Sequence, residues 1–178
     1  MKVRAAEPSD AERIAAVART AWHAAYGEFL SADAIDATVD EWYAPESLRS
    51  SIDREEGVFV VAVADSDAED DEIVGFLQAG YSGSVGNVVL GRIYALPEYW
   101  ESGVGSAMLG CVARDLDAEG YERISAVVLA DNDVGRAFYD ARTFEEIGRQ
   151  TTTFGGEEHE EVIVAADIPE LTDLGFGG

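Results

Sequence analysis

Cysteine, lysine and proline are scarce in this chain of 178 residues, and the first two scarcities exclude whole classes of chemistry. Cys111 is the only cysteine, so neither an internal disulfide nor a cysteine-based zinc site can form. Lys2 is the only lysine, leaving eleven arginines among the 12 basic residues, against 36 Asp and Glu. The formal net charge is −24. A surface this acidic offers no cationic stripe, so nucleic acid and anionic membrane are not expected partners. No stretch approaches about 18 uninterrupted apolar residues, so no membrane span is expected. Met1-Lys2-Val3-Arg4 leads into an acidic segment without a signal peptide's apolar core, which points to the cytoplasm.

What is present argues for a packed domain. Hydrophobic residues make up 47% of the chain, too many for charge-driven disorder. The length suits one domain over 1–178, with a core at about 2–168 and a short tail at 169–178. At molar salt the Debye length falls to about 3 Å, and self-repulsion among surface carboxylates largely vanishes. The charge therefore reads as adaptation to a very salty cytoplasm. An ordinary acidic protein is the plainer alternative.

Apolar periodicity supplies the elements. Residues 2–6 read as a short strand. From Pro8, Ile14, Val17, Ala18, Ala21, Trp22 and Ala25 recur on one helical stripe that ends near Gly27. Ser31 is placed to cap a second helix carrying Ile35, Val39 and Trp42, and a third starts near Pro45 with Leu48 and Ile52 inward. Strands follow at 58–64, 73–80 and 88–96, with turns at 65–72 and 83–87 between them. The acidic stretch at 65–72 lacks the glycine and glutamate of a calcium loop and reads as a solvated turn. A helix is predicted over 103–119, a strand over 124–129 and a helix over 133–142. Glu145 to Phe154 and Glu161 to Asp167 close the chain as a hairpin around Gly155-Gly156. The fold class is α/β, a mixed, mostly antiparallel sheet flanked by helices.

The segment Ile93-Tyr94-Ala95-Leu96-Pro97-Glu98-Tyr99-Trp100-Glu101-Ser102-Gly103-Val104-Gly105-Ser106-Ala107 carries the chemistry. A strand ends, a glycine-containing loop follows and a helix begins. Free N–H groups at the helix start, beside the positive end of its dipole, make an anion site that needs no lysine. A Rossmann loop would need glycine at Met108, and a Walker loop would need a Gly-Lys pair that is absent.

With a second segment, Asn132-Asp133-Val134-Gly135-Arg136-Ala137-Phe138-Tyr139-Asp140-Ala141-Arg142-Thr143-Phe144, the chain resembles the GNAT superfamily of acetyl-CoA-dependent N-acetyltransferases. The first segment is similar to that family's Gln/Arg-x-x-Gly-x-Gly/Ala loop, the second to its Asn-x-x-Ala-x-x-Phe-Tyr-x-x-x-Gly-Phe. The resemblance implies that acetyl-CoA is the cosubstrate and that no metal takes part. Pantetheine would lie along the fourth strand and bond to Ile93, Tyr94, Ala95 and Leu96. The pyrophosphate would sit on amides of Glu101, Ser102, Gly103, Val104, Gly105 and Ser106. Asn132 would bond the pantetheine amides, cap its helix, or do both. Tyr139 would protonate the departing thiolate, unless it is simply a half-buried helix tyrosine. The oxyanion would take an N–H near Ala95 or Leu96. The implied acceptor is a small-molecule or peptide amine that attacks the thioester directly.

Departures from the pattern bear on mechanism. Trp100 stands where Gln or Arg is common, Glu98 and Glu101 put carboxylates near a polyanion, and Thr143 replaces a glycine. Val89 occupies the position of a frequent glutamate base. The base then falls to a water chain or a residue between Trp22 and Leu30, or else the chain is a non-catalytic acetyl-CoA sensor. Cys111, His23 and His159 read as structural or surface residues. Trp22, Tyr26, Phe29, Trp42 and Tyr43 read as core or as acceptor-site lining. The closing hairpin offers a surface for a homodimer.

Overall fold

The apolar run that follows Gly57 forms β2 (Val58–Ala64), a strand covered on both faces. Phe59, Val61 and Val63 point into one hydrophobic cluster, and Val60 and Ala62 into another behind it. Burial on two sides is why this run is continuous rather than alternating. The other strands are β1 (Lys2–Ala5), β3 (Glu72–Tyr81), β4 (Asn87–Ala95), β5 (Arg123–Leu129), β6 (Glu145–Phe154) and β7 (Glu157–Asp167). They form a seven-stranded sheet in the order β1-β2-β3-β4-β5-β7-β6. Every pair is antiparallel except β4 with β5. This computed structural model describes residues 1–54, 57–65, 72–81, 87–154 and 156–176. The turns expected within 65–72 and 83–87, and Gly155, fall wholly or mostly outside those residues.

Helices cover both faces, as the α/β expectation requires. α1 (Ala11–Tyr26), α2 (Ala32–Trp42) and α3 (Pro45–Ile52) bury Ile14, Trp22, Ile35 and Leu48 against Phe76 and Val61. α1 begins at Ala11 because Pro8–Asp10 form a separate tight turn. There the Asp10 carboxylate accepts from the Glu7 N–H at 2.8 Å and from Arg4 at 2.8 and 3.1 Å, which ties β1 to the helix. Ser31 caps α2 as its position suggests, accepting from the Ala34 N–H at 3.2 Å. α4 (Val104–Ala118) packs Met108, Leu109, Val112 and Leu116 on the opposite face of the sheet. α5 (Asp133–Asp140) follows β5.

Two boundaries differ from expectation. β7 starts at Glu157 rather than Glu161, because its first residues pair with β6 through the main-chain ladder without an apolar, buried pattern, and polar cross-strand pairs follow at Glu160 and Glu161. Arg149 donates to Glu160 at 2.6 Å, and Gln150 to Glu161 at 2.7 Å. The stretch after 168, expected as a tail, opens with a helical turn, α6 (Ile168–Leu171), whose Ile168 and Leu171 are 0% and 1% exposed. Arg114 on α4 donates to the carbonyls of Thr172 and Leu174 at 2.8 and 3.3 Å and holds the segment down. Leu171→Ala should therefore destabilise the protein by about 2–5 kcal/mol. A denaturant midpoint equal to wild type would show that the turn is not part of the core.

Candidate active site

The site starts from a flaw in the sheet. β3 and β4 shift register between Gln78 and Ala79, where Arg92 pairs with Gln78 and Leu90 with Ala79. Gly91 is thus an inserted residue, a β-bulge. The insertion changes which side chains share a face: Leu90 and Ile93 both turn toward α4, and Tyr94 turns toward α1. The bulge also ends the parallel pairing. β4 and β5 pair only from Asn87–Arg123 to Leu90–Ala126, although both strands continue. Beyond that point each leaves an edge facing a gap.

The polarity of the β4 edge follows from one bond. The Leu96 N–H donates to the Val74 carbonyl at 2.9 Å, so that group faces β3. Main-chain groups alternate sides along a strand, so Tyr94 also faces β3 while Ile93 and Ala95 face the gap. Of the two N–H groups considered for an oxyanion, the one on Leu96 is therefore already used. The Ala95 carbonyl is taken by the Trp100 indole N–H at 3.0 Å. Trp100 thereby pins the loop back onto the end of β4.

That loop delivers the expected amides. Gly103 adopts φ 84°, the left-handed region that glycine enters without strain, and its carbonyl accepts the Ala107 N–H at 2.9 Å. The Val104, Gly105 and Ser106 N–H groups open α4 and have no acceptor within the helix. Glu101 also adopts a positive φ, 60°, which costs a non-glycine residue about 1–2 kcal/mol. The Ser102 hydroxyl donates to the Tyr99 carbonyl at 2.6 Å. Gly103, Val104, Gly105 and Ser106 therefore lie together at the start of α4, with Glu101 and Ser102 just before it.

Tyrosines converge on the gap from both faces. The Tyr26 and Tyr94 hydroxyls are 3.1 Å apart on the α1 side. Burial pushes the Tyr26 hydroxyl up to about 12, and its contacts with Tyr94 and Asn132 offset only part of that. Tyr94 is raised well above the usual range, by burial and then by Tyr26 and Tyr43. Tyr139, on the α4 side and 6% exposed, packs edge-on against Phe138 and Phe144 with centroids 5.3 and 5.0 Å away. Burial and then Tyr26 raise its pKa far above the ordinary tyrosine value. Asn132 caps α5 by accepting the Gly135 N–H at 2.9 Å. Sequence reasoning left Tyr26 between core and acceptor lining. It stands at the centre of this cluster.

The position of the frequent glutamate base supplies none here. Val89 is 40% exposed and carries no proton acceptor. Tyr26, within the 22–30 segment considered for that role, keeps its proton at neutral pH. His23 sits apart in an ion cluster, with its Nε2 2.9 Å from Asp36, which Arg19 also meets at 2.6 Å. Trp42 is 44% exposed, and its carbonyl accepts from Arg92 at 2.9 Å. Arg92 stacks over Tyr43 at 4.6 Å, so these residues edge the α2 side of the gap. Cys111 is half-buried, and burial raises its thiol pKa, so it is an unreactive packing residue. Among the described residues no cluster of His, Cys, Asp and Glu could hold a metal, and no helix is long and apolar enough to cross a membrane.

The buried hydroxyls predict alkaline sensitivity. Tyr26 and Tyr139 hold their protons more tightly folded than unfolded. Their contribution is intact below the unfolded value of 10.0 and is lost as pH rises toward the folded values. Each should remove about 1.4 kcal/mol per pH unit above pH ~10. Denaturant midpoints measured across that range should fall steeply, and less steeply in Tyr26→Phe. A flat midpoint up to pH ~11 would refute this account.

Fold and site together define an acyltransferase. The chain belongs to the acetyltransferase (GNAT) family, whose sequence pattern matches residues 16–144. No curated protein matches the chain. Among solved structures it is similar to the PaiA N-acetyltransferase from Thermoplasma acidophilum in complex with coenzyme A. That match has a TM-score of 0.80 and 25% identity, covering 93% of this chain and 98% of that one. It also shares its fold with the ribosomal-protein-S18-alanine N-acetyltransferase from Escherichia coli, at a TM-score of 0.70 and 16% identity, covering 94% and 93%.

Proposed function

We propose that this protein transfers the acetyl group of acetyl-CoA to a primary amine by direct attack within a ternary complex. The observation that carries this reading is the open β4 edge running into the amide-rich start of α4. Pantetheine would pair as an added strand with Ile93 and Ala95, beside Tyr94 and Leu96, and the pyrophosphate would meet the amides from Glu101 to Ser106. Such a site fits the coenzyme A held by the Thermoplasma relative.

The thioester carbonyl then lies by the Ala95 N–H, which would stabilise the oxyanion. Asn132 would use its amide on pantetheine while its oxygen caps α5. Tyr139 stays protonated at any working pH, so it would donate a hydrogen bond to the departing sulfur. The amine's proton would leave through water. Glu161, opposite Leu129 on β7, is a carboxylate whose charge Tyr26 feels, and it is the acceptor we assign to that path.

The acceptor is a small-molecule or peptide amine, neither nucleic acid nor membrane. The charge of −24 fits work in a salt-rich cytoplasm, and the β6–β7 hairpin fits a homodimer contact. The test is acetylation of an amine panel in molar KCl, read by product mass and released CoA. Tight CoA binding with no amine acetylated would favour the sensor reading, which the exposed Val89 supports.

A further inference from the structure

Residues 97–106 contain no lysine or arginine, and they bring the carboxylates of Glu98 and Glu101 to the loop before α4. A guanidinium reaches that loop from another element. Arg142, just after α5, turns back onto the first turn of α4. Its Nε and Nη2 donate to Ser106 Oγ at 2.9 and 2.8 Å. Its Nη1 donates to the Phe138 carbonyl at 2.6 Å, and the group lies 3.8 Å over the Phe138 ring. Ser106 itself is buried. Three of the five guanidinium N–H donors are thus engaged, and two remain.

The place of this cation is the informative part. Arg4, Arg19, Arg49 and Arg149 each meet a carboxylate, while Arg92, Arg114 and Arg136 bond main-chain carbonyls instead. Arg142 likewise meets no carboxylate among the described residues, but it alone of these bonds a side chain on the first turn of α4. Arginine stays charged regardless. Its two remaining N–H donors leave a half-buried cation able to meet a further acceptor at the start of α4.

We propose that Arg142 is a positioning residue for the phosphates of the acyl donor: through Ser106 it fixes the first turn of α4, and it supplies from α5 the positive charge that the loop lacks. This rests on acetyl-CoA being the donor. It also explains how two loop carboxylates are tolerated beside a polyanion.

The test compares CoA with pantetheine, which has no phosphate, by calorimetric titration of wild type and Arg142→Met. Methionine keeps an unbranched stem over Phe138 and removes the charge and the bonds. The Kd for CoA should rise about tenfold or more, the size of one charge-assisted contact, while that for pantetheine stays within about twofold. Equal losses for both ligands would mean a purely structural role and overturn the proposal, as would an unchanged CoA affinity. Arg142→Lys keeps the charge without the fork and should give a smaller loss, again for CoA alone. It also serves if the methionine variant does not fold. Wild type that binds neither ligand would overturn the donor assignment and this proposal together.

Discussion

Tyr139→Phe should lower kcat about a hundredfold while changing the KM for acetyl-CoA less than about threefold. The hydroxyl has no hydrogen-bonding partner among the described residues, and the ring is held by Phe138 and Phe144 on its edges. Phenylalanine keeps that packing, so the melting temperature should stay within about 2 °C of wild type. The loss would fall on the step in which sulfur becomes anionic, where a buried donor gains strength from the low local dielectric. Product mass and CoA release with an accepted amine would measure it. A variant with wild-type kcat would leave Tyr139 as a packing residue and move the donor role elsewhere, with Tyr26 next in line.

Gly105→Val should weaken CoA binding about tenfold or more and destabilise the protein by about 1–3 kcal/mol. A Cβ at position 105 would lie 2.6 Å from Phe138 Cε2 and 3.2 Å from its Cζ. Phe138 cannot yield without moving the guanidinium stacked on it. The clash therefore passes from α4 to α5 and back to Ser106. Gly80→Ala is the control, because nothing lies within 4 Å of a Cβ there. Equal CoA affinity in the two variants would show that the close contact of Phe138 with Gly105 has no bearing on the ligand.

Most of this architecture is legible in the sequence because its elements obey one rule at a time. β2 is apolar on both faces, α1 carries one stripe, and Ser31 caps α2. Thr143 is legible even as a departure: it stands where the family pattern has glycine, and it adopts φ 61°. The backbone keeps the turn and accepts the strain. The β7 start is not legible, since Glu157 to Glu160 show no apolar alternation and pair with β6 through the main chain, with the ion pair of Arg149 and Glu160 across the hairpin. Nor is the helical turn after 168, because two apolar residues in a four-residue element define no period.

The site was readable as two motifs but not as a geometry. Nothing local in Ile93 to Leu96 tells which N–H groups face out. That depends on the bulge, whose one sequence signal is Gly91 inside a strand pattern. Arg142 was visible as a residue, but its placement on Ser106 joins positions 36 apart.

The parted strands β4 and β5 also say something about time. A donor that pairs with the β4 edge leaves as CoA after transfer, so product exit would be the peeling of a strand from a sheet. Such exits proceed from an end, one rung after another, and the last rung holds the rest in register. Here the ends differ: one is anchored at the start of α4, and the other is the freshly deacetylated sulfur by Tyr139. Departure would begin at the sulfur end, where the bond just broken has left the fewest contacts. The pause between turnovers would then be set by the phosphate anchor far from the chemistry.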